Sequence, residues 1–190
     1  MTDAPSAHRP PLEALGLAGV PADRLGRYLD LLASWSARVN LTGARTPAER
    51  VLLLVAPVLP AAPLPAPGRL IDVGSGNGSP GLVLAFLRPD LEVTLLEPRQ
   101  KRWAFLREAA RAAGRPDVDV RRDRHDTYEG PAAATVTLRA LALSLPALAP
   151  LVEVGGRVLV FGSNAPPAPG WVREGPVAAG LFAWTRRRSP

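Results

Sequence analysis

The run Leu70-Ile71-Asp72-Val73-Gly74-Ser75-Gly76-Asn77-Gly78-Ser79-Pro80-Gly81 constrains this chain more than any other stretch of it. Its apolar start is too short for a helix and reads as a buried strand. The glycines that follow supply positive φ and allow close backbone approach, and Pro80 suits the first turn of a helix. A strand, a tight turn and a helix N-terminus therefore follow one another, so that a ligand can lie against bare backbone.

Two cofactor classes use such a turn. Gly76 to Gly81 satisfies G-x-G-x-x-G, the dinucleotide pattern, and Glu97 follows Gly76 by 21 residues as that pattern expects. Two features favour S-adenosylmethionine instead. Asp72 precedes the first glycine in the order D-x-G-x-G-x-G, and 190 residues leave no room for a separate nicotinamide or substrate domain. Asp72, Gly74, Ser75, Gly76 and Gly78 are thus candidate cofactor residues. Glu97 closes the segment Val93 to Glu97, where a carboxylate can accept both hydroxyls of a ribose; a solvated glutamate at a strand end is the alternative. Asp72 can also act as a turn or helix cap, which is compatible with a cofactor role.

Around this loop the apolar patterns alternate in period. Strands are expected at Arg69 to Val73, Glu92 to Glu97, Val118 to Arg121, Ala134 to Leu138 and Arg157 to Phe161, with helices at Gly81 to Leu87, Arg99 to Ala113 and Ala140 to Leu151. Two closing strands, Trp171 to Arg173 and Leu181 to Arg186, can pair as a hairpin. The fold class is α/β, a Rossmann-like, mostly parallel seven-stranded sheet with helices on both faces. Before it, residues 1 to 10 read as a polar tail, Leu12 to Leu17 as a short helix, and Pro21 to Val39 as an amphipathic helix. Val51 to Val55 reads as another short helix and the Pro-rich stretch to Pro67 as an extended linker. The expected division is a tail and helical cap over 1–67 and a core over 68–190, one structural domain overall.

Composition narrows the classes. The uncharged run Val51 to Gly68 approaches a membrane span in length, but prolines 57, 60, 63, 65 and 67 would break that helix, so no membrane association is expected. The chain has no cysteine, which removes disulfides, thiolate metal sites and a catalytic thiol, and no His/Asp/Glu cluster suggests a metal. No apolar leader opens the sequence, so a cytoplasmic location is expected. The net charge of +6 falls entirely in the second half: residues 1–95 hold 8 basic and 8 acidic side chains, and 96–190 hold 15 and 9. All but one of the 23 basic residues, Lys101, are arginines. That excess suits RNA or another polyanion, and equally a solvated basic face.

At this point the chain resembles the RsmG family, also called glucose-inhibited division protein B. The resemblance rests on Tyr28-Leu29 through Trp35 to Asn40-Leu41-Thr42, on Asp72 to Gly81 with its Gly-x-Pro-Gly ending, on Lys101-Arg102 with Phe105-Leu106, and on Arg139-Ala140. It covers nearly the whole chain and implies S-adenosylmethionine-dependent methylation of N7 of a guanine in small-subunit ribosomal RNA. The implied partner is ribosomal RNA or the small ribosomal subunit, met by a monomer. The resemblance further implies that Arg124, His125 and Asp126 lie beside the adenine ring. The chain departs from the family pattern at Leu54, Pro57, Ala134, Leu138 and Phe161, all on the substrate side. Action on another RNA or a small molecule, or cofactor binding without catalysis, are the alternative functions.

Guanine N7 carries a lone pair, so methyl transfer to it needs no general base, and the absence of an acid/base dyad is no objection. Arg139, expected at the C-terminal end of the fourth strand, is the candidate catalytic residue and a cofactor neighbour, able to bind a phosphate or the guanine edge; a structural ion pair is its plain alternative. His8 falls in the tail and His125 in a charged surface stretch. Trp35, Trp103 and Phe105 read as core at helical spacing rather than as stacking platforms.

Overall fold

The computed structural model describes residues 5–162, 165–175 and 177–188. Its centre is a seven-stranded sheet in the order β3-β2-β1-β4-β5-β7-β6, formed by β1 (Gly68–Val73), β2 (Leu91–Leu96), β3 (Asp119–Arg121), β4 (Ala133–Arg139), β5 (Val152–Phe161), β6 (Trp171–Arg173) and β7 (Leu181–Arg186). The first five strands pair in parallel, and β7 lies antiparallel between β5 and β6. The closing hairpin is therefore as the sequence implies. The order reverses at β1, which places the crevice at the carboxyl ends of β1 and its neighbours β2 and β4.

The helices are α1 (Arg9–Glu13), α2 (Gly19–Ser36), α3 (Pro47–Arg50), α4 (Gly81–Leu87), α5 (Gln100–Ala112) and α6 (Leu145–Leu148). On α2 the apolar stripe buries Leu25, Tyr28, Leu29 and Leu32. These join Phe86 of α4 and Phe105 of α5 in one apolar cluster, with Tyr28 and Phe86 ring centroids 5.8 Å apart. Trp35 packs edge-on against Phe105, so these two serve the core as expected, while the half-buried Trp103 donates its indole N–H to the Val120 carbonyl at 2.9 Å. A second cluster, from Ile71 and Val73 to Leu148 and Val158, fills the other face of the sheet.

Four readings are corrected. The stretch before residue 10 is not a free tail over its described part: His8 is buried, its Nδ1 lies 2.7 Å from Asp30 Oδ1, and prolines in the first turn start α1 at Arg9 rather than Leu12. Residues 56–61 are not an extended linker but a 3-10 helix that buries Val58 and Ala61. Pro57 falls in the first turn, where its missing N–H is not needed, and Pro60 inside the helix gives up one backbone bond. Ala140 to Leu151 is not one helix: Ala140 takes φ 52°, and α6 starts only after Ser144, whose side chain caps it, before the 3-10 turn Ala149–Leu151. Finally, α3 runs into a π-helical turn, Val51–Val55, started by a Thr46–Glu49 capping box.

Candidate functional site

The loop between β1 and α4 is built as its spacing implies. Gly74, Gly76 and Gly78 have φ of 69°, 54° and 95°, a region that side chains rarely adopt. Pro80 is the N-cap of α4. Gly81 opens that helix against β1 and β2, where an added Cβ would come within 2.5 Å of Leu95 Cδ2 and 2.6 Å of Asp72 Oδ2. Gly74 and Ser75 donate their N–H groups to the Leu96 carbonyl at 2.9 and 3.1 Å, fastening the loop to the end of β2.

Glu97 sits at that end, buried, and its carboxylate bridges two backbone donors. Oε2 accepts from Gly76 N at 3.0 Å and Oε1 from Arg99 N at 2.8 Å. Each oxygen keeps lone-pair capacity for a further donor. Asp72 lies underneath, fully buried. Its Oδ1 accepts from the Thr137 hydroxyl at 2.6 Å and its backbone carbonyl from Ser75 Oγ at 3.0 Å, while Oδ2 has no hydrogen-bond partner among the described residues. Burial pushes its carboxyl up to about 6, against the pull of the Thr137 hydroxyl.

A cavity of about 550 Å³, ample for a nucleoside-sized ligand, opens above this loop. Gly74, Ser75, Gly76, Glu97, Arg124, His125 and Arg139 line it. Three candidates do not. Asp72 supports the loop from below, Gly78 packs against Leu82 and Leu106, and Asp126 is an exposed partner of Arg124 at 2.9 Å. An added Cβ on Gly76 would meet no protein atom nearer than 3.6 Å, so the space beside that residue belongs to the cavity.

The far wall is the cap, and it is stitched to the loop by residues that sequence reasoning missed. Asn77 Nδ2 donates to the Leu41 carbonyl at 3.0 Å, Ser79 Oγ to Leu54 at 2.7 Å, and Arg102 to Asn40 at 3.2 Å. In return the Tyr28 hydroxyl donates to the Asn77 carbonyl at 2.7 Å. The polar residues between the glycines were the available signal. Arg139 makes no ion pair among the described residues. Half-buried, it donates to Ser79 Oγ and to the Leu53 carbonyl, both at 2.8 Å, and burial lowers the pKa of its guanidinium.

A model described as rRNA small subunit methyltransferase G (GidB) matches residues 22–164. The chain belongs to that family. It is 37% identical over 175 residues to the ribosomal RNA small subunit methyltransferase G of Xanthomonas euvesicatoria pv. vesicatoria, covering 92% of this chain and 81% of that one. It is 38% identical over 149 residues to the protein of that name from Stenotrophomonas maltophilia, covering 78% and 68%. Among solved structures, an RNA methyltransferase from Salinibacter ruber in complex with S-adenosyl-L-homocysteine superposes with a TM-score of 0.54 at 21% identity, over 64% of this chain and 82% of that one. That likeness carries the Rossmann-like methyltransferase fold.

For a member of the rRNA small subunit methyltransferase G family, the departures on the substrate side find a structural account. Leu54 is buried in the π turn and uses its carbonyl, not its side chain, at the crevice, while Pro57 is exposed at the start of the 3-10 helix. Leu138 and Phe161 are buried at the ends of β4 and β5, and Ala134 is the second residue of β4, at its register shift against β5.

Proposed function

We propose that this chain is an S-adenosylmethionine-dependent methyltransferase acting on N7 of a guanine in small-subunit ribosomal RNA. The observation that carries the reading is Glu97 at the glycine loop: a buried carboxylate that braces the Gly76 and Arg99 amides and keeps lone pairs free towards an open crevice. These residues fit S-adenosylmethionine, with Glu97 taking the ribose hydroxyls and Arg124 and His125 on the adenine side. When bound, that cofactor supplies an electrophilic methyl group on a sulfonium.

The chain's own residues hold and orient. Attack by N7 requires no proton removal, so the rate advantage comes from keeping the acceptor in line in a near-attack geometry. Arg139 spends two of its five N–H donors on Ser79 and Leu53, which leaves donors for an acceptor atom of the RNA. Residues 1–67 act as the cap that closes the acceptor side and 68–190 as the cofactor core. The partner is ribosomal RNA or the small subunit, met by a monomer in the cytoplasm without a metal ion. No helix among the described residues is long and apolar enough to cross a membrane.

The test is transfer of a labelled methyl group to small-subunit RNA from a strain lacking the modification, together with calorimetry on Gly76→Val. Label is expected on a guanine, and the variant is expected to lose cofactor binding, because its side chain enters the cavity rather than the protein. Unchanged affinity in Gly76→Val, or preferential binding of NAD, would sink the cofactor assignment. Cofactor binding without label on any RNA would leave a catalytically silent binding protein.

A further inference from the structure

The part of the crevice away from Glu97 has a different chemistry. The cap and the loop after β4 line it with Leu41, Leu53, Leu54, Leu141 and Leu143, beside Arg139. Leu53 and Leu141 remain 45% and 41% exposed, although most large apolar side chains of the chain are buried. A single exposed leucine needs no explanation, but two on separate elements lining one crevice suit an apolar partner.

Both leucines are held by their backbones. The Leu53 carbonyl is fixed by Arg139 at 2.8 Å, and the next carbonyl, that of Leu54, by Ser79 at 2.7 Å. Leu141 follows Ala140, whose φ of 52° is costly for a residue with a Cβ and turns the chain sharply out of β4. Its Cδ2 lies so close to Gly74 that an added Cβ there would come within 3.0 Å. Both side chains thus line the crevice from separate elements and stay partly exposed.

We propose that Leu53 and Leu141 are the clamp for the target base, gripping it once it has left its stack. This rests on the RNA-methyltransferase reading above. The sheet order decides which part of the RNA belongs here. Arg99 and Arg102 follow β2 and Arg124 follows β3, on the Glu97 side of β1, whereas β4 and its loop lie on the other side. The ribose and adenine of the cofactor take the Glu97 side, which leaves the β4 side, with Arg139 beside the leucines, for the acceptor. A nucleobase, with its apolar faces and uncharged edge, fits the leucine end, and apolar contact there offsets the cost of unstacking it.

The experiment uses the full chain, small-subunit RNA lacking the methyl group, and the variants Leu53→Ala, Leu141→Ala, Leu53→Met and Leu141→Met. Each alanine variant is expected to raise KM for RNA about tenfold, roughly what loss of one buried leucine contact implies. Each methionine variant should recover most of this, and S-adenosylhomocysteine affinity should stay within about twofold in the two Leu53 variants, since only Leu141 lies against the cofactor loop. A KM that does not move, or a loss in Leu53→Ala that tracks S-adenosylhomocysteine affinity, overturns the clamp. A second readout is free of turnover: thermal protection of the S-adenosylhomocysteine complex by guanosine monophosphate, expected in the parent chain and lost in the alanine variants. Leucine-dependent protection without methyl transfer would keep the clamp and reject ribosomal RNA as substrate. Protection equal in parent and alanine variants, or absent from all, rejects the clamp.

Discussion

A buried carboxylate without a cationic partner is an uncommon way to brace a loop, and Asp72 makes the stability of the molecule depend on pH in a direction opposite to the acids paired with arginine. Burial raises its folded-state pKa to about 6, above the ordinary 3.8, so the folded chain takes up the proton first. The contribution is fully present below 3.8 and is lost as pH rises through about 6. Exposed acids such as Asp90 and Asp117 are held below their usual range by Arg88 and Arg115, so their contribution is present above that range and lost only in stronger acid. His8, held below its usual 6.5 by burial, contributes with the reverse sign, which makes a difference measurement necessary. Denaturant unfolding of the parent and Asp72→Asn between pH 4 and 7 is expected to show the parent losing stability relative to the variant as pH rises. The loss is on the order of 3 kcal/mol for a shift of about two units. Parallel pH curves would show that the carboxylate is ionised throughout.

At the scale of elements, the π turn Val51–Val55 is held at the crevice by its carbonyls, and Arg139 is the longest tether. Arg139→Ala is expected to raise amide exchange in residues 51–55 and to lower methyl transfer more than tenfold, while cofactor affinity stays within about twofold. A parallel fall in cofactor affinity would instead make Arg139 part of the cofactor wall. This tether was not legible in the sequence. The strands, α4 and the closing hairpin were, because strict apolar periodicity and glycine spacing encode them locally. Likewise Gly74, Gly76 and Glu97 meet at the crevice because one loop and one strand end determine their positions. The failures share a cause. His8, the 3-10 turn over Ala56–Ala61 and the break at Ala140 depend on partners far along the chain or on one left-handed residue, and neither leaves a periodic trace. Asn77 and Ser79 read as spacers because their partners, the Leu41 and Leu54 carbonyls, are main-chain atoms without a sequence identity.

Across the whole molecule the excess of positive charge lies in the second half of the sequence, and the structure decides which of those residues can meet a partner. Of the nine basic residues between Arg99 and Arg124, Arg115 is buried and bound to Asp117 and to the Ala85 and Leu91 carbonyls, so it cannot meet a partner. Arg186 is likewise engaged with the Ala149 and Val152 carbonyls. Arg107, lying over the Trp103 ring at 4.8 Å, and Arg111, both exposed on α5, remain available. If they contact phosphates, log affinity for RNA falls with log salt in proportion to the phosphates neutralised, and replacing either arginine by alanine is expected to reduce the slope by about one. Binding insensitive to salt, or unaltered in the double variant, would make α5 a plain solvated face. The cap and core meet through bonds whose acceptors are the carbonyls of Asn40, Leu41, Leu53, Leu54 and Asn77. A carbonyl is present whatever the side chain, so point substitution in the cap leaves those acceptors in place. The acceptor-facing wall can therefore exchange side chains without unseating the cofactor end.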